Sequence, residues 1–258
     1  AVALDRELAA ATPTAAPSRS PRQSDRRRPF DASPHTIGRM GTILLCRHGE
    51  TPWNRDRRVQ GWAPTDLTDR GREQAAALAD FLAAEYVVDR IVASDLERAA
   101  ETARAVSRAT DAETTFDSRW RERDFGRFQG LTYEELFDTY PEYTLSEIGY
   151  AAAETVPESG ESLLDMWERV GAAFRGLRGE IDSDETVAVV AHGGPLYAVT
   201  GEVKGLDAVA AVLDQDQGNC AVNEIRVGDD AGGGVAAVEL VRENVTSFLP
   251  EATTQENY

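Results

Sequence analysis

Short apolar runs alternate with helical periods along most of this chain. The first run, Thr42 to Cys46, is mostly apolar and partly β-branched, the pattern of a short buried strand. Thr68 is placed to cap a helix reaching about Glu85, with Ala75, Leu78, Ala79 and Leu82 as its buried stripe. Arg90 to Ala93 reads as a second strand. Ser94 with Glu97 fits the Ser-x-x-Glu capping box of a following helix, which puts Arg98 in that helix's first turn. Thr114 to Phe116 is a candidate edge strand, residues 131–157 read as a helical excursion rich in tyrosine, and a long helix spans roughly Glu161 to Arg178. Thr186 to Ala191, TVAVVA, is continuous and β-branched, the strongest central-strand signal in the chain. After a further helix, two last strands at about 220–227 and 235–242 flank Gly228 to Gly234 as a hairpin. The alternation predicts an α/β fold, a three-layer sandwich with a mostly parallel central sheet and helices on both faces.

Composition adds bounds. At 258 residues and 41% hydrophobic, the chain can bury one sizeable core. Residues 1–40 are rich in Ala, Pro, Ser, Thr and Arg without a hydrophobic period and are expected to be a disordered extension. Met40, just before the first strand, is the expected natural start. The expected domain is 41–248, followed by a tail at 249–258. The net charge is -18, but the first 40 residues hold 7 Arg against 4 acids, which leaves 20 basic and 41 acidic residues and a body near -21. Lys204 is the single lysine beside 26 arginines. Such a surface suits a salt-adapted, acidic proteome and makes nucleic acid a poor partner. Two distant cysteines, Cys46 and Cys220, suit a reducing compartment. No run has the length of a membrane span, so the expectation is a cytoplasmic protein with no membrane partner.

The candidate chemistry lies where strands end. His48 and His192 each follow a buried strand and precede a glycine, and neighbouring strands would bring both imidazoles to one rim. In open α/β sheets that rim, beyond the carboxyl ends of the strands, is where ligands bind. Gly49 is expected to let the backbone approach a ligand closely. Arg47 and Arg98 supply planar forks suited to phosphate. Histidine and arginine without nearby carboxylate or cysteine ligands make an anion site, with no metal.

Five ordered segments, LLCRHGETPWN, QGWAPTDLTDRGREQA, SDLERAAETA, RERDFGRFQG and VVAHGGPL, resemble the signatures of the histidine phosphatase superfamily in its phosphoglycerate mutase-like branch, over about residues 42–245. The resemblance implies that His48 is the nucleophile that becomes phosphohistidine. Arg47, Arg98 and His192 then hold the phosphoryl oxygens, and Glu122 is the general acid and base. Asn54, Gln60, Gly61 and the backbone of Gly193 match positions near bound phosphate or substrate. Arg123 either contacts substrate or pairs with a surface acid. No cofactor is implied.

Residues 131–157 correspond to the small helical insertion that caps the site in this family. Here it has no Lys or Arg and six acids, Glu134, Glu135, Asp138, Glu142, Glu147 and Glu154. The mutases carry a longer, basic insert, with a lysine where this chain has Tyr133. The expected activity is therefore hydrolysis of small phosphate monoesters with uncharged or aromatic leaving groups. A cofactor-dependent phosphoglycerate mutase and a non-catalytic phosphate-binding module are the alternatives. No pattern in the sequence bears on oligomeric state.

Overall fold

Successive side chains of a strand point to opposite faces, so a strand covered by helices on both sides must be apolar throughout. The computed structural model, which describes residues 40–228 and 237–250, is built around such strands. In chain order its elements are β1 (Met40–Arg47), α1 (Pro52–Arg55), α2 (Asp69–Glu85), β2 (Arg90–Ala93), α3 (Glu97–Thr110), β3 (Glu113–Phe116), α4 (Tyr133–Thr139), α5 (Leu145–Ile148), α6 (Tyr150–Glu154), α7 (Leu163–Glu180), β4 (Thr186–Ala191), α8 (Gly193–Lys204), α9 (Ala208–Leu213), β5 (Val222–Gly228) and β6 (Val238–Val245).

The sheet order is β3-β2-β4-β1-β5-β6. The first four of these strands run parallel, while β5 lies antiparallel to both β1 and β6. The expected mostly parallel three-layer sandwich is the observed fold, with β3 at one edge. Along β1 and β4, Ile43, Leu45, Val187 and Val189 face α7 and α8 through Val170, Phe174 and Leu196. Leu44, Cys46, Ala188 and Val190 face α2 and α3 through Leu78, Leu82, Ala103 and Val106. One alternating pattern thus fills both layers.

Several local expectations shift. Thr68 caps α2 as expected, its hydroxyl accepting from the Gly71 amide. Ser94 does not cap α3. That helix starts at Glu97 with Leu96 at its N-cap, and the Ser94 hydroxyl accepts from the Leu96 amide at 3.3 Å. α7 begins two residues later than expected, at Leu163, because Ser162 and Asp165 form its capping box. β5 also begins later, since Asn219 and Cys220 are held in a turn against the His48 carbonyl, to which they donate at 3.1 and 3.3 Å. The β5–β6 pairing fits a hairpin, whose connecting turn, like the extension before Met40, lies outside the described residues. Packing continues past the expected boundary at 248: Leu249 is buried and Phe248 stacks on Phe81 at 4.4 Å.

The stretch 131–157 is helical as expected and rests on a small cluster of Val59, Phe128 and Leu136.

Candidate active site

β1 and β4 are in parallel register from Thr42 opposite Thr186 to Arg47 opposite Ala191, so the two strands end level. The amide of His48 continues the ladder by donating to Ala191 O at 3.0 Å. Both imidazoles then emerge at one rim, with ring centroids 5.1 Å apart. His48 is 2% exposed and His192 0%.

The His48 ring is fixed in one tautomer. His48 Nδ1 lies 2.7 Å from Gly49 O, an atom that can only accept, so Nδ1 carries the proton and Nε2 keeps its lone pair. His192 Nε2 lies 2.7 Å from Ser94 Oγ. That hydroxyl can donate to Nε2, which puts the ring proton on Nδ1, or accept from it, even while it accepts from the Leu96 amide. Burial, then the charges of Arg98 and Arg47, hold His48 well below the usual imidazole range. Burial and Arg98 do the same for His192.

Arg98 leaves the first turn of α3 and turns inward, 1% exposed, to donate to Gly61 O at 2.7 Å, Ala63 O at 3.2 Å and Thr65 Oγ1 at 3.4 Å. Burial pulls it down to about 10, an effect Glu122 opposes. Arg47 donates to Gln217 O. Neither guanidinium forms an ion pair among the described residues. Arg47 Nε and Arg98 Nε are buried donors without a protein acceptor, and His192 Nδ1 is a buried ring nitrogen without a protein partner. A buried donor left unmatched costs about 1–3 kcal/mol, and two on unpaired guanidiniums beside two neutral imidazoles suit an anion.

Glu122 closes the other side. Its carboxylate accepts from the Arg123 amide at 2.8 Å and from the Gly194 amide, in the first turn of α8, at 3.1 Å. Its carbonyl is held by Trp62 Nε1 at 2.7 Å. A Cβ on Gly194 would lie 2.2 Å from Glu122 Oε1. Tyr133 stands at the mouth, 40% exposed, and the burial of its hydroxyl end together with the charge of Glu122 pushes the phenol up to about 12.

The remaining expected residues fall into two groups. Gly193 lies between Glu122 and Arg47: its Cβ position is 3.8 Å from Glu122 Oε2 and 3.9 Å from Arg47 Nε. Gly61 presents its carbonyl to Arg98 and adopts φ +51°, where a Cβ would strike Gln129. Asn54 and Gln60 have their side-chain oxygens engaged, Asn54 Oδ1 also by Asn219 at 3.4 Å. Asn54 Oδ1 accepts from the Thr51 amide at 3.1 Å, and Gln60 Oε1 accepts from Thr51 Oγ1 at 2.9 Å and Thr65 Oγ1 at 3.0 Å. Among the described residues Arg123 pairs with no surface acid. It is 7% exposed and donates to the carbonyls of Glu161 at 3.0 Å and Thr155 at 3.2 Å.

Gly49 departs from expectation, because a Cβ there would lie 2.4 Å from Gly71 O, so the close approach it permits is to α2. Sequence reasoning missed the partners of the site: Ser94 behind His192, Gln217 behind Arg47, Asn219 behind His48 and Gly194 under Glu122. A local pattern signals only Gly194, as the second glycine after His192.

Neutral imidazoles, unpaired guanidiniums and a poised carboxylate at the strand ends of an α/β sandwich define a phosphate-handling enzyme. Residues 43–238 match the model of the histidine phosphatase superfamily (branch 1), and the chain belongs to that family. It is 37% identical over 174 residues to the glucosyl-3-phosphoglycerate phosphatase of Mycolicibacterium vanbaalenii, covering 65% of this chain and 76% of the relative. It is 36% identical over 158 residues to phosphoglycerate mutase-like protein 4 of Arabidopsis thaliana, covering 61% and 68%. Among solved structures, a mycobacterial glucosyl-3-phosphoglycerate phosphatase superposes with a TM-score of 0.69 at 28% identity, covering 81% of this chain and 100% of that one. The chain is an enzyme of the phosphatase kind. Among the described residues no helix is long and apolar enough to cross a membrane, and no group of three His, Cys, Asp or Glu is placed to hold a metal ion.

Proposed function

We propose that the protein is a metal-independent phosphomonoesterase that hydrolyses small phosphate esters through a phosphohistidine at His48. The observation that carries this reading is the tautomer of His48: Nδ1 is committed to Gly49 O, which leaves Nε2 unprotonated in a site where Arg47 Nε and Arg98 Nε are unmatched donors. Nε2 attacks phosphorus in line, and the bond from phosphorus to the ester oxygen breaks. Glu122 gives its proton to the departing oxygen, and Arg47, Arg98 and His192 Nδ1 donate to the phosphoryl oxygens. The Glu122 carboxylate then takes a proton from water, whose oxygen displaces His48 and releases inorganic phosphate.

The cap favours hydrolysis over mutase chemistry. Its six acids are all exposed, and it has no cation to hold a second anionic group of a substrate. Tyr133 and Tyr197, whose phenols both feel Arg47 and Glu122, offer aromatic surface to a leaving group instead. One observation favours the mutase reading: Arg123, adjacent to Glu122, is a buried cation that donates to two carbonyls, lies over the Phe125 ring and forms no ion pair among the described residues, as a site for a substrate carboxylate requires. The buried free thiols Cys46 and Cys220 and the acidic surface fit a reducing, salt-rich cytoplasm.

The test is turnover of para-nitrophenyl phosphate and 3-phosphoglycerate in molar KCl with EDTA, for wild type and His48→Ala. Ester hydrolysis that survives EDTA and needs His48 is expected. Inactivity on the ester, with 2-phosphoglycerate formed after priming by 2,3-bisphosphoglycerate, would make the mutase reading correct. Phosphate binding without either activity would leave a binding module.

A further inference from the structure

Glu122 sits in residues 121–125, which belong to no helix or strand. A proton donor must keep its place to within a fraction of an ångström, and a loop does not do this by itself. We infer that Arg169 is the positioning residue that fixes Glu122. The inference rests on the phosphohistidine reading above.

Arg169 projects from α7, the 18-residue helix anchored on the sheet by Met166, Val170 and Phe174. Its Nη1 donates to Arg119 O at 2.9 Å and Arg121 O at 3.0 Å, and its Nη2 donates to Glu122 O at 3.2 Å. The same guanidinium grips the Glu161 carboxylate through Nε at 3.2 Å and through Nη2. Glu161 extends the grip, accepting from the Asp124 amide at 3.1 Å while its own amide donates to Asp124 O at 2.9 Å. One ion pair therefore fastens the chain on both sides of Glu122 to a rigid helix. An ion pair this exposed, about a fifth for each side chain, adds little to stability, and surface pairs are worth about 0–1 kcal/mol. Three donations from one planar fork to the carbonyls of Arg119, Arg121 and Glu122 place a backbone, which a lysine cannot reproduce from a single nitrogen.

The consequence is specific to the proton. kcat/KM reports the steps through transfer of phosphorus to His48, in which an alkoxide must be protonated as it leaves and a nitrophenolate need not be. Glu122→Gln, Arg169→Met and Arg169→Lys are to be compared with wild type on glycerol phosphate and para-nitrophenyl phosphate, with thermal midpoints recorded. Glu122→Gln is expected to lower kcat/KM for the alkyl ester by about 10²–10⁴ and to affect the aryl ester far less. Arg169→Met should show the same split, about tenfold or more on the alkyl ester and under about threefold on the aryl ester, with Arg169→Lys between it and wild type. The preserved aryl activity is itself the proof of folding. Equal losses on both esters, or no loss on either, would overturn the role of Arg169. Should Arg169→Met not fold, Arg169→Lys is judged by the same split. A Glu122→Gln variant without the split would remove Glu122 as the donor, so failure of the site reading is distinguishable from failure of this inference.

Discussion

The floor of the site and its cap are built on opposite terms. On the floor, His48, Arg98 and His192 are 2%, 1% and 0% exposed, gripped by the ends of β1 and β4 and by backbone carbonyls. On the cap, Tyr133, Phe137, Ile148 and Tyr150 are 40%, 38%, 44% and 50% exposed, above a cluster centred on three buried side chains. The floor accepts the cost of buried, unmatched donors because the sheet prevents them from relaxing; the cap makes no such demand and reaches the main core through Ala153 and Leu145. Chemistry and selectivity are thus assigned to parts of different stiffness, and substitutions in the two should differ in kind.

The largest break in the comparison is His48→Ala, which removes the covalent route and should abolish turnover of para-nitrophenyl phosphate while the fold persists. Arg98→Ala comes next. It removes one donor to the phosphoryl group and should lower kcat by about 10²–10³. Some stability should go with it, since the carbonyls of Gly61 and Ala63 lose their partner. Gly194→Ala is milder. A Cβ there meets the movable ends of Glu122 and, at 3.2 Å, of Met166, so the protein should fold with a near-normal thermal midpoint while kcat/KM for an alkyl ester falls about tenfold or more.

The same division decided what the sequence made legible. The run TVAVVA and the strand before Arg47 read as buried strands, each with a His-Gly junction at its end, and their pairing with level ends is what the structure supplies. Arg98 in a helix's first turn opposes the helix dipole, a conflict resolved by the side chain turning inward. The supporting contacts were illegible because they join distant segments. Ser94 satisfies a capping pattern locally, yet its hydroxyl faces His192, 98 positions away, and the tertiary partner prevails over the local one. Gly49 looked like a ligand contact because nothing local announces that Gly71 passes beside it. Arg123 offered two roles by type, and burial against the carbonyls of Thr155 and Glu161 removes the surface ion pair.

The floor's buried imidazoles also set a pH dependence. Both histidines are held well below 6.5 when folded, whereas unfolding returns them to the ordinary range. Below about pH 6.5 the unfolded chain therefore binds more protons than the folded one, so stability is full above that pH and declines as pH falls toward the folded-state values. Denaturant midpoints measured from pH 7.5 to pH 5 should fall, and the fall should be shallower in His48→Ala and His192→Ala.

The smallest expected effect lies on the cap. Tyr133 is partly exposed, and its ring lies about 6.1 Å from that of Phe137, so truncation to alanine creates no enclosed cavity and should leave the thermal midpoint within about 1–2 °C of wild type. What it removes is aromatic surface beside Glu122 and Arg47 that only a bound leaving group would use. Tyr133→Ala should therefore raise KM for para-nitrophenyl phosphate by about two- to fivefold with kcat nearly unchanged, the pattern of lost binding common to ground and transition states. A fall in kcat as large as that of Arg98→Ala would mean that the cap shares in the chemistry, and the separation of a rigid chemical floor from a compliant selective cover would not hold.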